Sequence, residues 1–210
     1  MDNNRRKKIL LSTRTIALYA VLTALVTAAT YLIKIPTVAT EGYVNPGDAL
    51  VLFTGVAFGP FAGFFCGGVG SCLADLAGGY AHWILPTFVI KGFEGFLAGL
   101  LFWSIRKTKL NRYVNAVVSI VPPAFLMVLG YFVASTIMKG SAATAALSVP
   151  ANCLQATFGV VVSFVLLFAL SQLKSFSSLI GKNYFFDYPK KEKREKGEDG
   201  SEVDPPSPKE

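Results

Sequence analysis

The chain has 210 residues, of which 52% are hydrophobic and 16% are charged, and its formal net charge is +7. Soluble domains carry roughly 25% charged residues, so this composition excludes an ordinary soluble fold and favours a membrane protein whose apolar surface faces lipid. The positive charge does not indicate a nucleic-acid partner, because the basic residues lie in an N-terminal arm, one short loop and the tail.

The chain begins with a basic arm, residues 1–13, that precedes the first apolar run. Arg5–Lys8 stand before the apolar residues Ile16–Ile33. This run is too long for the apolar core of a signal peptide, and it ends without the small-residue pattern of a cleavage site. We therefore expect it to remain in the protein as a membrane helix.

Two breaks divide the other long apolar runs into helices. Gly59-Pro60 interrupts the run 47–78, and proline fits the first turn of a helix but disrupts a helix interior. Lys139-Gly140-Ser141 interrupts the run 113–173. Since about 20 residues cross the hydrocarbon, the sequence predicts an all-α integral membrane protein, a bundle of six transmembrane helices. The predicted spans are 14–34, 47–58, 60–78, 84–105, 113–138 and 145–173.

Three clusters of basic residues predict the orientation of the bundle. They lie at Arg5–Lys8 with Arg14, at Arg106–Arg112, and from Lys174 onward. The positive-inside rule places all three in the cytoplasm, so an even number of spans must separate them. Four predicted spans lie between the first and second clusters, and two lie between the second and third, so the condition is satisfied. Both termini are therefore predicted to be cytoplasmic. The predicted organisation is a cytoplasmic arm (1–13), a membrane domain (14–174) and a charged tail (175–210) that is largely disordered after residue 188.

On this topology, the ionisable residues of the spans concentrate in the outer halves. Charges inside a membrane are costly, so each is a candidate for function. The inner halves offer little beyond Gly, Ala, Ser and Thr. The distribution predicts a polar cavity that is open to the outside and closed inward. Its candidate residues by depth are Asp48, Asp75, Lys91, Glu94, Tyr131, Ser135, Asn152 and Gln155, with His82 and Trp83 in an outer loop.

Several of these residues also have a purely structural interpretation. Lys91 and Glu94 are three positions apart on a helix and can pair as a brace that lowers the cost of burial. Asp48 follows Asn45-Pro46-Gly47 and is predicted to act as a helix N-cap. Trp83 can serve as an anchor at the membrane interface. Both interpretations remain open for each residue at this point.

Small residues recur at four-residue spacing on three of the predicted helices. They are Ala20, Ala24 and Ala28 on the first, Gly59, Gly63 and Gly67 on the third, and Gly95 and Gly99 on the fourth. Such stripes permit close approach of helices. Each stripe serves internal packing or faces a partner protein.

Known catalytic and metal-binding motifs are not found in the sequence. There is no P-loop, no HExxH and no paired CxxC, so we predict no enzyme activity, no metal and no cofactor. An intramembrane hydrolase would have to use Ser71 and His82, which lack a recognisable motif. A second alternative is a stand-alone ion-coupled transporter or channel in which Asp75 and Glu94 carry protons.

Three segments together resemble a known family of membrane proteins. They are Gly42-Tyr43-Val44-Asn45-Pro46-Gly47-Asp48-Ala49, the glycine-rich stretch from Gly59-Pro60 to Leu73-Ala74-Asp75, and Ile90-Lys91-Gly92-Phe93-Glu94-Gly95. This ordered set is similar to the substrate-binding S components of energy-coupling factor (ECF) transporters, and most closely to the riboflavin-type branch. Pro46 departs from the aliphatic residue expected at its position. The resemblance covers most of residues 14–173.

The resemblance implies a prokaryotic plasma-membrane protein that captures a vitamin or vitamin precursor of the riboflavin, pyridoxine or hydroxymethylpyrimidine class. It implies partners as well: a transmembrane T component, which docks on Ala20, Ala24 and Ala28, and two cytoplasmic ATPases that drive toppling of the S component. In this interpretation the outer loop 35–47 is a lid. The predicted substrate-binding residues are Asn45, Asp48, Asp75, Lys91, Glu94, Asn152 and Gln155, with Tyr43, Trp83 and Tyr131 as aromatic walls.

Overall fold

The computed structural model describes residues 13–37, 42–106 and 110–173, so the predictions for the basic arm and the charged tail lie outside the described residues. In chain order the helices are α1 (Thr13–Leu32), α2 (Gly47–Phe58), α3 (Pro60–Gly78), α4 (Ile84–Ile105), α5 (Arg112–Lys139), α6 (Ala142–Ala146) and α7 (Val149–Ser171), with a 3₁₀ turn at Ala81–Trp83. Five helical segments are long and apolar enough to cross a membrane: α1, α3, α4, α5, and α6 taken together with α7. Helix α2 is apolar but shorter. The protein is therefore a multi-pass helical membrane protein, and a span formed by α2 remains a prediction.

A short β-hairpin, which the sequence did not predict, connects α1 to α2. Strand β1 (Ile35–Thr37) pairs antiparallel with β2 (Gly42–Val44), and Ile35 lies opposite Val44. Four of the six strand residues are isoleucine, threonine, tyrosine and valine, which favour extended backbone, whereas Pro36 and Gly42 do not. The all-α prediction therefore needs this correction, and the predicted lid contains the hairpin.

Glycines let α2, α3 and α4 pack with their backbones almost in contact. A Cβ atom added to Gly63 would lie 2.3 Å from the carbonyl oxygen of Gly95, and one added to Gly55 would lie 2.2 Å from the same oxygen. A Cβ atom on Gly99 would lie 2.6 Å from the oxygen of Gly55. The glycine stripes of α3 and α4 thus serve internal packing, which was one of the two interpretations of their spacing.

Positive-φ glycines mark the ends of three helices. Gly59 (φ 99°) separates α2 from α3, with Pro60 in the first turn of α3 as predicted. Gly79 (φ 80°) follows α3, and Gly140 (φ 64°) follows α5. Glycine adopts such angles without the steric cost that other residues incur. Pro122-Pro123, in contrast, lie inside α5 without ending it.

The contacts between helices place the hairpin at one end of the bundle, which we call the hairpin end. Gly70 of α3 lies against Val26 of α1, and Gly78 lies against Lys34, so α1 and α3 run in the same direction. Gly63 meets Gly95, and Gly68 meets Phe88, so α4 runs back. The end of α3 and the start of α4 therefore lie at the hairpin end.

The remaining long helices alternate in direction. Tyr131 of α5 reaches Thr87 near the start of α4, whereas Asn115 bonds to Ile105 at the end of α4. Tyr113, near the start of α5, contacts Ser171 at the end of α7. Consequently the ends of α1, α4, α5 and α7 that adjoin the three basic clusters all lie opposite the hairpin end. This arrangement agrees with the parity argument, while the orientation in a membrane remains a prediction.

An apolar core joins α2, α4, α5 and α7. Leu52, Phe102, Ile120, Met127 and Leu167 are among its fully buried side chains. Many large apolar side chains elsewhere are exposed, as expected where lipid replaces water as the solvent. The polar cluster described next holds the charged side chains that are buried deepest in this interior.

Candidate functional site: a buried ionic cluster beneath the hairpin

Lys91 of α4 is enclosed by two carboxyl groups inside the bundle. Its Nζ donates hydrogen bonds to Oδ1 of Asp48 and, at 2.9 Å, to Oε2 of Glu94. Lys91 is 2% exposed, and both acidic residues are 0% exposed. Taking three ionisable groups out of solvent is costly, and their mutual hydrogen bonds offset part of that cost. The pairing of Lys91 with Glu94 agrees with the predicted brace, and Asp48 extends the pair to a triad.

Gln155 of α7 connects this triad to the segment that follows the hairpin. Its Nε2 lies 3.0 Å from each carboxylate oxygen of Asp48. Its Oε1 accepts a hydrogen bond of 3.0 Å from the backbone N–H of Asn45. The Asn45 side chain in turn accepts from the N–H of Gly47 at 2.8 Å. The side-chain amide of Gln155 therefore bonds both to the lid segment and to the ionic cluster.

Asp48 does not cap α2, and that prediction was wrong. The residue before the helix is Pro46, and Asp48 lies in the first helical turn with its side chain directed into the bundle. Asn45 provides the local hydrogen bond to Gly47 instead. A carboxylate in the first turn is still favourable, because the amino end of a helix is the positive end of its dipole.

A glycine of α7 makes room for Asp48. A Cβ atom added to Gly159 would lie 2.7 Å from the Cβ of Asp48. Gln155 and Gly159 are one helical turn apart, so they present a hydrogen-bonding group and a gap on the same face. The sequence offered no sign of this fit, because 107 positions separate Asp48 from Gln155.

Trp83 and Tyr131 form an aromatic wall beside the ionic cluster. Their ring centroids are 5.7 Å apart in an edge-to-face arrangement. The Tyr131 hydroxyl donates to Thr87 at 3.3 Å, and the ammonium of Lys91 lies 5.5 Å from the Tyr131 ring centroid. The predicted aromatic residues of the 3₁₀ turn and of α5 are thus brought to the predicted charges of α4.

Three polar atoms of this region are buried and without a hydrogen-bond partner among the described residues. They are Oε1 of Glu94, Nε1 of Trp83 and Oγ of Ser135. Buried polar groups in native proteins are nearly always paired, so such groups indicate a place for a bound molecule or water. Thr87 was not predicted as a site residue, whereas Ser135 was among the polar residues expected near the outer end of its helix. Ser135 lies one turn beyond Tyr131 on α5.

Asp75 lies in a second polar group at the hairpin end. It is buried in the last turns of α3 and interacts electrostatically with Lys34. The ammonium of Lys34 lies 4.4 Å from the ring centroid of Tyr31 and 5.3 Å from that of Tyr80. Burial lowers the pKa of Lys34, and the charge of Asp75 partly opposes this shift. Sequence reasoning missed Lys34, which resembled an ordinary residue at the end of an apolar run.

Two other predicted site residues are not joined to the cluster by the described contacts. Asn152 is half-buried, three residues before Gln155 on α7, and its backbone N–H donates to Ser148 at 3.0 Å. Tyr43 lies in β2 opposite Pro36, and its side chain is outside the described part of the structure. Their roles remain predictions.

The hydrolase alternative requires Ser71 and His82 to act together. Ser71 is buried in α3, whereas His82 is exposed in the 3₁₀ turn and has its ring 6.0 Å from that of Trp83. The described contacts do not bring the two side chains together. The structure therefore gives this alternative no support.

The predicted partner-docking stripe lies on the outward face of α1. Ala20 and Ala24 are exposed, and Ala28 is half-buried. The glycines of α3 and α4 pack against neighbouring helices of the same chain, whereas Ala20 and Ala24 remain exposed.

A bundle of apolar helices long enough to cross a membrane defines a multi-pass membrane protein, and the buried ionic cluster beneath the hairpin is its candidate functional site. The sequence model of the family described as ECF-type riboflavin transporter, S component, matches residues 10–172, and the chain belongs to this family. The predicted family resemblance is thereby confirmed.

Two relatives are similar to this chain over more than half of its length, and the first of them supports the assignment. A protein of Lactococcus lactis subsp. cremoris described as the thiamine precursor transporter HmpT is 30% identical over 175 residues, which cover 82% of this chain and 90% of the relative. An uncharacterised protein of Pyrococcus woesei is 42% identical over 115 residues, 55% of this chain and 74% of that protein.

Proposed function

We propose that this protein is the substrate-capture subunit of an ECF transporter and that it binds a vitamin or vitamin precursor at the buried ionic cluster. The ligand belongs to the riboflavin, pyridoxine or hydroxymethylpyrimidine class. ATP-driven uptake then depends on a T component and two ATPase subunits, with the T component docking on the alanine stripe of α1. The orientation is the predicted one, with the hairpin end outside the cell and both termini in the cytoplasm.

The observation that carries this proposal is the unpartnered oxygen of Glu94 inside the bundle. Asp48 and Glu94 hold Lys91 from two sides, yet one carboxyl oxygen of Glu94 has no partner among the described residues. A flat ring with N–H or O–H groups can supply that partner and pack against Trp83 and Tyr131. Binding sites commonly combine apolar walls with a few polar groups of this kind.

Mass spectrometry of small molecules released from the detergent-purified protein is the direct test. Calorimetric titration with riboflavin, pyridoxine and hydroxymethylpyrimidine follows. The Lactococcus relative is named for a thiamine precursor, so hydroxymethylpyrimidine is the first ligand to titrate. One stoichiometric vitamin whose binding is weakened by Lys91→Ala and by Glu94→Ala supports the proposal. A ligand whose affinity is unchanged by both substitutions would place its site elsewhere and leave the cluster as a structural brace.

Reconstitution in liposomes separates this proposal from a stand-alone transporter. We expect uptake only when the T component, the ATPases and ATP are present. Uptake by this chain alone, driven by an ion gradient, would refute the S-component mechanism and assign the buried carboxyl groups to ion movement.

A further inference from the structure

The charges of the buried cluster restrict the class of ligand that the proposed site can accept. This inference rests on the proposed function and concerns the substrate class. Within the part of the chain that the structure describes, Lys91 is the one basic side chain that is fully buried. Any negatively charged group of a ligand enclosed beneath the hairpin would therefore depend on Lys91 for a buried positive partner.

The positive charge of Lys91 is already matched. Its ammonium is bonded to Asp48 and to Glu94. One ammonium with one or two ionised carboxylates has a net charge of zero or −1, whichever form Glu94 adopts. Gln155 does not change this balance, because it is neutral and directs its N–H group to Asp48. The cluster therefore has no net positive charge to offer.

Two further lysines lie at the hairpin end, Lys34 and Lys139, and both are only half-buried, so neither adds a fully buried positive charge to the site. Lys34 is half-buried, lies against the rings of Tyr31 and Tyr80, and is held in the field of Asp75. Its charge is thus engaged at the ends of α1 and α3, beside a carboxylate that would itself repel an anion.

The unpartnered groups of the site are suited to neutral partners. Oε1 of Glu94 can pair with an N–H or O–H group, and Nε1 of Trp83 can donate to a carbonyl or ring nitrogen. A phosphate ester carries a charge of roughly −1.5 to −2 at neutral pH. Moving that charge into an enclosed site without an available cation is strongly unfavourable.

We infer that the site selects unphosphorylated ligands, which direct an N–H or O–H group to Glu94, and rejects the phosphate esters of the same ring compounds. Cells commonly contain vitamins in both forms. A capture protein with this site would take up the free vitamin or precursor and leave the phosphorylated form outside.

Calorimetric titration of the full-length purified protein with matched pairs tests this inference. The pairs are riboflavin and riboflavin phosphate, pyridoxine and pyridoxine phosphate, and hydroxymethylpyrimidine and its phosphate. For the ring compound that binds, the phosphate ester should bind at least about tenfold more weakly. Equal or tighter binding of the ester overturns the inference and leaves the proposed function standing. If no member of any pair binds, the proposed function fails and the inference fails with it.

Charge variants give a second, independent readout. Asp48→Asn and Glu94→Gln each remove a carboxylate that engages Lys91, so the preference for the unphosphorylated ligand should fall at least about threefold. Thr157→Ala is the matched control, because Thr157 is exposed on α7 two residues after Gln155. The control should retain the wild-type preference. A preference that is the same in all three variants would show that the cluster does not set it.

Discussion

Gln155 holds the carboxylate of Asp48 with its nitrogen and the backbone of Asn45 with its oxygen. The three distances involved are 3.0 Å each. Asn45 directly follows β2, and Asp48 is a member of the ionic triad with Lys91. The position of the lid and the arrangement of the buried charges are therefore linked through a single side chain.

Replacing Gln155 with methionine should loosen the lid. Methionine has a similar length but can pair neither with Asp48 nor with the N–H of Asn45, and each buried group left unpaired costs about 1–3 kcal/mol. Backbone amides of the hairpin should exchange with solvent faster, and bound ligand should dissociate faster. Hydrogen-exchange mass spectrometry and stopped-flow release would measure both. Thr157→Ala is the control, and unchanged exchange in Gln155→Met would show that Gln155 does not hold the lid.

Replacing Lys91 alone should destabilise the protein more than replacing Lys91 and Glu94 together. Lys91→Met leaves Asp48 and Glu94 buried side by side, at a cost of about 3–5 kcal/mol. The double variant Lys91→Met/Glu94→Gln removes one of the two like charges and should recover part of this loss. Thermal unfolding in detergent, compared without ligand, measures the difference. A double variant less stable than Lys91→Met would contradict this account of the triad.

The glycine contact between α3 and α4 should not tolerate a methyl group. Gly63→Ala would place a Cβ atom 2.3 Å from the oxygen of Gly95, so the helices must separate. We expect a loss of roughly 2–4 kcal/mol or failure to fold. Gly140→Ala is the matched control, because nothing lies within 4 Å of its added Cβ atom and only its φ of 64° opposes it. That variant should lose about 1 kcal/mol. Equal losses would show that the backbone contact is not tight.

A bulky side chain on the exposed stripe of α1 should block transport without affecting capture. Ala24→Trp adds volume at an exposed position that the packing within the chain does not use. ATP-dependent uptake by the assembled complex should fall at least about tenfold, because small residues permit close helix contact, while calorimetric ligand affinity stays the same. Val161→Trp, at a 56% exposed position on α7, is the control and should retain uptake. Loss of uptake in the control alone would place the docking surface on α7.

Membrane-impermeant thiol labelling can test the predicted orientation. In a variant with Cys66, Cys72 and Cys153 replaced by alanine, a single cysteine would be introduced at Ala143 or at Leu110. Both positions are exposed, the first in α6 near the hairpin end and the second in the connection before α5. Only Ala143→Cys should react in intact cells, and Leu110→Cys should require permeabilised cells. The opposite pattern would invert the proposed topology.

The helices could be predicted well because their signals are local. Gly59-Pro60 gave the boundary between α2 and α3, and Gly140 gave the end of α5. In a membrane protein the apolar runs themselves report where the lipid lies. The hairpin was missed because its strands are only three residues long, too short for an alternating pattern to be recognised.

The sequence identified most residues of the candidate site, but it predicted only some of the contacts between them. Costly charges within the spans identified Asp48, Lys91 and Glu94, and the spacing of the last two predicted their pairing. The attachment of Asp48 to Lys91 and to Gln155 depends on how distant helices pack, so local spacing could not give it. For this reason Asp48 was predicted as a helix cap, and Thr87 was not recognised.

The backbone contacts among α2, α3 and α4 also determine how the protein can move. Helices separated by side chains can slide as those side chains change rotamer, but helices that meet at Gly55, Gly63 and Gly95 have no such layer. These three helices should resist shear and behave as a rigid block, and two of them, α2 and α4, carry Asp48, Lys91 and Glu94. A ligand held there can be released by opening of the hairpin or by reorientation of the whole subunit, but not by one of these helices sliding past another.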